Sequence, residues 1–153
     1  MTTRPDVRPI INHVAISVDA SVLDAAGRAA LLDFYGEVFG WTEGDNSTEK
    51  GNPLIVYTGE MRQYLYFLPA TDDFLRAPYL DHFGLEISSV DELTAILDRA
   101  KAYREKDDRV TVIDLDQMTT HGSTSDFTLT NAYISFLIPL QIELQHIAEV
   151  QTG

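Results

Sequence analysis

Two segments of the chain alternate strictly between apolar residues and small or polar ones. Residues 12–18 read NHVAISV and residues 81–88 read DHFGLEIS, each with a histidine near its head. Because successive side chains of a strand point to opposite faces, the apolar residues of each segment share one face and the histidine lies on the other. The pattern predicts two strands, each with one face that packs on a helix and one face that lines a cavity.

A similar series of elements follows each of these strands. Residues 24–39 combine alanines with a broad apolar stripe, which predicts a helix that Gly40 ends. Residues 92–104 predict a second helix, capped by Ser89 or Asp91. Further strands are predicted at 54–58, 63–68, 110–115, 133–138 and 141–147, and polar loops at 42–53 and 116–130.

The repeated order of elements indicates a duplication. We expect an α+β fold in a single domain, with one module at about 10–69, a connector at about 70–79 and a second module at about 80–148. Curved mixed sheets would surround a central cavity, with the helices on the outside.

The composition limits the ligands that could bind a metal, the partners of the protein and its expected location. The chain has 153 residues, enough for one compact domain, and no cysteine, so a bound metal would need nitrogen and oxygen ligands. Its formal charge of -13 argues against nucleic acid and anionic membranes as partners. The N-terminal residues lack an apolar signal core, and no run approaches the roughly 20 apolar residues of a membrane span, so a cytoplasmic location is expected.

Four motifs together resemble the vicinal oxygen chelate superfamily, which includes glyoxalases, extradiol dioxygenases and bleomycin-resistance proteins. They are HVAISV at 13–18, LDFYGEVFGW at 32–41, HFGL at 82–85 and IEL at 142–144. The resemblance implies a pair of βαβββ modules whose sheets curl around a metal. It also implies three metal ligands, namely His13, His82 and Glu143.

Alternation within the last strand supports this ligand set independently. Glu143 shares a polar face with Gln141 and Gln145, so all three proposed ligands lie on the polar side of their strands. A divalent ion would satisfy a buried carboxylate while binding two neutral imidazoles. The structural alternative is that both histidines are ordinary core residues and that Glu143 meets an arginine or an amide.

Two histidines and one carboxylate leave three adjacent metal positions open, an arrangement typical of non-haem Fe(II) oxygenases. Fe(II) is therefore the expected ion, with Mn, Ni, Co and Zn as alternatives. Glyoxalase-like members take a fourth ligand from the first module, and the alignment with Glu143 puts Leu65 at that position. Only a shift of this alignment that placed Gln63 at the position of Leu65 would restore four ligands. The sequence therefore favours dioxygenase-like chemistry.

Three further residues are candidates for catalysis. Tyr133 precedes Glu143 by a spacing that resembles the active-site tyrosine of extradiol enzymes, although a packing tyrosine fits equally well. His121, in the predicted loop, would replace the base histidine that this chain lacks, or else is simply solvated. Glu86 shares the face of His82 and would transfer protons or bind the metal, unless it pairs with Arg62 or Arg99.

The sequence therefore predicts a metal-dependent enzyme, dioxygenase-like and hence an oxidoreductase, acting on a small molecule with neighbouring oxygens. Glyoxalase, epimerase or lyase chemistry through a metal-stabilised enediolate is an alternative. A metal-free binding protein of the antibiotic-resistance type is another, favoured slightly by apolar Leu65 and Phe67. The two modules would complete the site within one chain or by exchange in a homodimer.

Overall fold

The computed structural model describes residues 10–48, 51–59 and 63–150, which form two similar modules. The first contains β1 (His13–Asp19), a 3-10 turn (Ala20–Leu23), α1 (Ala25–Phe39), β2 (Thr42–Glu43), β3 (Leu54–Tyr57) and β4 (Tyr64–Ala70). The second contains β5 (His82–Glu86), α2 (Val90–Arg104), β6 (Thr111–His121), β7 (Asp126–Ser135) and β8 (Gln141–Glu149). Each module has the order βαβββ, so the predicted α+β duplication is confirmed.

Each module forms one mixed, four-stranded sheet. The strand orders are β1-β4-β3-β2 and β5-β8-β7-β6. The pairs β1·β4 and β5·β8 are parallel, and the other pairs are antiparallel. Neither sheet closes on itself, so β1 and β5, the strands that carry His13 and His82, lie at open sheet edges.

Local capping fixes both helices where the sequence predicts them. The Asp24 carboxylate accepts a hydrogen bond from the Gly27 backbone N–H at 2.8 Å, and Ser89 Oγ accepts one from Glu92 N–H at 3.1 Å. Gly40 ends α1 with a φ of 74°, a conformation that glycine adopts without the steric cost of a Cβ.

The two modules pack through aromatic residues of the helices. The buried Phe34 ring on α1 lies 5.2 Å from the Tyr103 ring on α2 and 4.7 Å from the Phe136 ring after β7, measured between centroids. The Tyr103 hydroxyl donates to the Asp33 carboxylate at 2.9 Å. Helix packing therefore ties the modules together, and the open edges of the sheets remain available to form a site.

The Phe34→Ala substitution should destabilise the protein by about 3–5 kcal/mol, because it removes a fully buried ring where both modules meet. Urea unfolding followed by circular dichroism would measure the change. The matched control is Leu115→Ala, at an exposed side chain, with an expected cost of about 0.5 kcal/mol or less. Equal costs for the two variants would contradict the burial of the Phe34 ring between the modules.

The predicted polar loop at 116–130 is wrong. Strands β6 and β7 form a long antiparallel hairpin that pairs Asp116 with Asn131 and His121 with Asp126. The many threonines of this stretch suit strands, and the two strands bond each other's backbones regardless of side-chain polarity. The predicted loop at 42–53 likewise contains the short strand β2. Within the described ranges, no helix is long and apolar enough to cross a membrane.

Candidate functional site

Strands β5 and β8 bring His82 and Glu143 together. Their parallel register pairs His82 with Gln141 and Gly84 with Glu143, so both ligand candidates lie on the sheet face that points away from α2. The Nε2 atom of His82 is 3.3 Å from Oε2 of Glu143. Glu143 is 8% exposed, which matches the buried carboxylate expected from the alternation in the last strand.

Tyr133 on β7 completes this group. The register pairs it with Glu143, and its hydroxyl donates to Glu143 Oε1 at 2.7 Å. This hydrogen bond, followed by burial and by the charges of Glu143 and Asp116, raises the pKa of Tyr133 to about 12. The phenol therefore stays protonated near neutral pH and acts as a hydrogen-bond donor.

The imidazole of His82 is oriented by the backbone. Its Nδ1 atom lies 2.8 Å from the Leu80 carbonyl oxygen, which can only accept, so Nδ1 carries the proton of a neutral ring. In that tautomer Nε2 presents its lone pair toward Oε2 of Glu143, 3.3 Å away, whereas a protonated ring would donate to that oxygen as an ion pair. A neutral imidazole and a carboxylate are ligands that divalent transition metals accept, so these residues fit a metal.

Gly84 makes room for the carboxylate. A Cβ added at this position would lie 3.2 Å from Glu143 Oε2, closer than ordinary van der Waals contact. The carboxylate therefore packs over the glycine on the neighbouring strand, with no side chain between them. The alternation in residues 81–88 puts Gly84 on the same face as His82. Only the strand register shows that Gly84 leaves space for the Glu143 carboxylate.

The Gly84→Ala substitution should weaken divalent-metal binding by about 10-fold, because the methyl group would displace the Glu143 carboxylate by a few tenths of an ångström. Calorimetric titration with Mn²⁺ would measure the loss. Gly36→Ala is the control, since a Cβ there has its nearest neighbour at 3.7 Å. An unchanged Mn²⁺ affinity in Gly84→Ala would show that the carboxylate does not depend on this gap.

His13 lies on the other sheet. Its ring stacks on Tyr64 at 4.8 Å between centroids, and its Nδ1 is 2.8 Å from Asn12 Oδ1. It borders a cleft of about 460 Å³ whose lining also includes Phe83 and Gly84 of β5. Among the described residues of one chain, no three His, Cys, Asp or Glu side chains come close enough to hold a metal. One chain thus brings His82, Glu143 and Tyr133 together, and among the described residues His13 does not complete a three-ligand group with His82 and Glu143.

The alignment of Leu65 with Glu143 is wrong by one residue. Ala15 pairs with Tyr66 in the first module as Gly84 pairs with Glu143 in the second, so Tyr66 occupies the position equivalent to Glu143. Leu65 and Phe67 are both buried core residues, and Leu65 also borders the cleft beside His13. The first module still provides no carboxylate at this position, because the corrected residue is a tyrosine.

The remaining candidates lie away from the carboxylate. His121 is exposed at the tip of the β6·β7 hairpin, where its Nδ1 is 2.9 Å from Asp126 Oδ1. Asp126 begins β7 and Tyr133 lies near its end, about 24 Å away at the usual rise of a strand. The structure therefore does not bring His121 to the group formed by His82, Glu143 and Tyr133.

Glu86 lies on the same sheet face as His82, paired with Gln145. Of its two suggested ion-pair partners, Arg99 donates instead to the Val38 carbonyl at 2.8 Å, and Arg62 is outside the described residues. Asp116 and Asn131 also lie on this face, next to Gln145 in the sheet. Sequence reasoning missed both because it placed them in a loop, although the alternation of polar residues before Tyr133 was a usable signal.

Comparison with solved structures identifies similar folds. The fosfomycin resistance protein FosX from Listeria monocytogenes is 15% identical, with a TM-score of 0.59 over 90% of this chain and 91% of that chain. A possible glyoxalase from Bacillus cereus is 17% identical, with a TM-score of 0.56 over 88% and 96%. A mutant of the same FosX, complexed with Mn(II) and 1S,2S-dihydroxypropylphosphonic acid, gives 15% identity and a TM-score of 0.59 over 92% and 93%. No protein-family model and no curated protein matches the sequence.

Proposed function

We propose that this chain, which has the paired βαβββ fold of the vicinal oxygen chelate superfamily, is a divalent-metal-dependent enzyme acting on a small molecule with neighbouring oxygens. The observation that carries the proposal is the meeting of the His82 imidazole with a buried carboxylate, with Nε2 3.3 Å from Glu143 Oε2 and the Tyr133 hydroxyl bonded to the same carboxylate. A neutral imidazole and a carboxylate are ligands that would hold a divalent cation. The FosX structure that contains Mn(II) supports a divalent ion in this fold.

Different residues of the chain would bind the ion, orient the imidazole and donate a hydrogen bond to the substrate. His82 and Glu143 would hold the ion, and the Leu80 carbonyl would keep the His82 ring in the tautomer that leaves Nε2 free to bind it. Tyr133 donates its hydrogen bond to Glu143 and, as a neutral phenol beside the ion, can turn that hydrogen toward a substrate oxygen. The bound ion supplies Lewis-acid polarisation of the substrate oxygens.

Within this class we favour dioxygenase-like chemistry with Fe(II). The position equivalent to Glu143 in the first module is Tyr66, so a second carboxylate ligand of the glyoxalase type is missing there. A set of two histidines and one carboxylate leaves room for a chelating substrate and O2 together. The phosphonic acid ligand of FosX is a poor guide to this substrate, because the strands of the described ranges carry no lysine or arginine to pair with an anion.

A second copy of the chain would supply the third ligand, His13, across the open sheet edges. The residues just before each histidine support this homodimer, since they are apolar and exposed. Ile10 and Ile11 before His13 are 70% and 80% exposed, and Tyr79 and Leu80 before His82 are 64% and 62% exposed. Large apolar side chains grouped beside the strands that carry the ligands suit burial against a partner.

Elemental analysis and turnover test the proposal together. Untagged protein loaded anaerobically with Fe(II), Mn(II) or Zn(II), then desalted, should retain one ion per chain. The Fe(II) form should consume O2 with a catechol, whereas turnover of 2-oxo compounds without O2 uptake would favour the enediolate chemistry. If no ion is retained after any loading, the enzyme proposal fails and a metal-free binding protein is the better account.

A further inference from the structure

The imidazole ring of His13 is held by two neighbours in the first module. Its Nδ1 atom lies 2.8 Å from Oδ1 of Asn12, the residue immediately before it. The ring also stacks on Tyr64, with 4.8 Å between the ring centroids and 3° between the ring planes. Tyr64 is the residue that the parallel register of β1 and β4 pairs with His13. One contact therefore fixes the plane of the imidazole, and the other engages one of its two nitrogens.

The hydrogen bond to Asn12 decides which nitrogen of His13 carries the proton. The amide oxygen of Asn12 can only accept, so Nδ1 of the neutral ring must be the donor. Nε2 then carries no hydrogen and keeps a lone pair that can bind a cation. Metal-binding histidines are commonly oriented in this way, by an acceptor that binds the N–H of the nitrogen facing away from the metal.

His82 reaches the same tautomer through a different kind of acceptor. Its Nδ1 atom faces the backbone carbonyl oxygen of Leu80, two residues earlier, at 2.8 Å. The two histidines are equivalent in the duplicated modules, since each is the first residue of the first strand. The acceptor is a side chain in one module and a backbone group in the other. The shared tautomer therefore does not follow from repetition of the backbone alone.

The backbone of the residue before each histidine serves the sheet instead. The carbonyl oxygen of Asn12 accepts from the Tyr64 N–H at 3.0 Å, and that of Asp81 accepts from the Gln141 N–H at 3.0 Å. These bonds extend the pairing of β1 with β4 and of β5 with β8. In the first module it is therefore the side chain of Asn12 that supplies the acceptor to His13.

We infer that Asn12 is a positioning residue for metal binding, acting through the tautomer of His13. The inference rests on the proposed function, because that function makes His13 a ligand. The Asn12 amide oxygen keeps the proton on Nδ1, and the stacked Tyr64 ring limits rotation of the imidazole. A ligand whose tautomer and plane are already set loses less freedom when an ion binds. If His13 served only to pack on Tyr64, the position of its proton would have no effect on metal affinity.

The tautomer of His13 can be measured in the metal-free protein. Long-range proton–nitrogen NMR spectra of ¹⁵N-histidine-labelled protein, recorded at about pH 8.5, show which nitrogen of each neutral imidazole is protonated. The parent protein should carry the His13 proton on Nδ1. Asn12→Leu, which lacks the acceptor, should lose this preference, and Asn12→Asp should retain it. His146, whose Nδ1 lies 2.9 Å from the Ile87 carbonyl oxygen, is the internal reference that neither variant should change.

Calorimetric titration with Mn(II) tests whether this tautomer matters for the metal. Asn12→Leu should bind Mn(II) about 10-fold more weakly than the parent protein, a usual loss when the partner of a metal-binding histidine is removed. Asn12→Asp should bind at least as tightly as the parent, because its carboxylate accepts the same hydrogen bond. The unfolding temperature should be nearly the same in all three proteins, since the side chain of Asn12 is exposed.

Two results would overturn the inference while the proposed function stands. One is an unchanged His13 tautomer in Asn12→Leu, and the other is a parental Mn(II) affinity in that variant after its tautomer has shifted. A weaker affinity that Asn12→Asp does not rescue, together with a lower unfolding temperature, would also count against it, because it would indicate a structural role.

Failure of the proposed function has a different signature, because the parent protein itself would then bind no Mn(II). A role of Asn12 toward a metal would be overturned with it. The NMR measurement needs no metal, so it would still show whether Asn12 sets the protonated nitrogen of His13. The two failures are therefore distinguished by the Mn(II) affinity of the parent protein.

Discussion

Replacing Glu143 with glutamine should weaken Mn(II) binding by about 100-fold or more, without loss of the fold. Glutamine keeps the shape of the side chain and removes the one negative charge that lies against His82 Nε2. Its amide can donate to Nε2 of the neutral ring, which keeps a contact between the two side chains. The metal-free variant should therefore unfold at the same temperature as the parent protein or higher. Calorimetric Mn(II) titration and thermal unfolding would measure the two effects.

The two readouts separate a ligand from a structural residue. If Glu143 served only to hold Tyr133 and His82 in place, Glu143→Gln would lower the unfolding temperature and leave Mn(II) binding weak in both proteins. Glu149→Gln provides the control, because Glu149 lies on the same strand with an exposed side chain. It should alter neither the metal affinity nor the unfolding temperature. Tight Mn(II) binding by Glu143→Gln would exclude this residue as a ligand.

Mixing two inactive variants should restore metal binding if His13 comes from a second copy. His13→Ala and His82→Ala each lack a ligand in every site of their own dimer. A heterodimer of the two has one intact site, so random pairing in equal amounts should restore about a quarter of the parental sites. Metal content after co-expression, relative to the parent protein, measures the recovery.

The control for this experiment mixes two variants that each lack a ligand from the second module. The mixture of His82→Ala with Glu143→Ala should restore no tight metal binding, because neither chain of the heterodimer carries both His82 and Glu143. Recovery in this control would point to exchange with residual parental protein. If the His13→Ala and His82→Ala mixture restores nothing while each variant still forms dimers, His13 reaches the metal within its own chain.

Interactions between residues close together in sequence were sufficient to predict much of the secondary structure. Helix α1 begins after Asp24 and ends at Gly40 because capping depends on residues close together in sequence. The face on which His13, His82 and Glu143 lie follows from the two-residue period of a strand, which the alternation reveals directly. The hairpin of β6 and β7 was missed because its many threonines and aspartates were read as a loop, although residues 126–130 alternate between polar and apolar side chains.

By itself, the sequence determined the duplication, the helices and the side of each strand on which the candidate ligands lie, since these depend on periodicity and neighbouring residues. Only the tertiary structure decided which residues meet. Strand register is set by pairing between distant segments, and a shift of one residue exchanges the two faces. That register moved the position equivalent to Glu143 from Leu65 to Tyr66, placed Gly84 beneath the carboxylate and aligned Asp116 with Asn131.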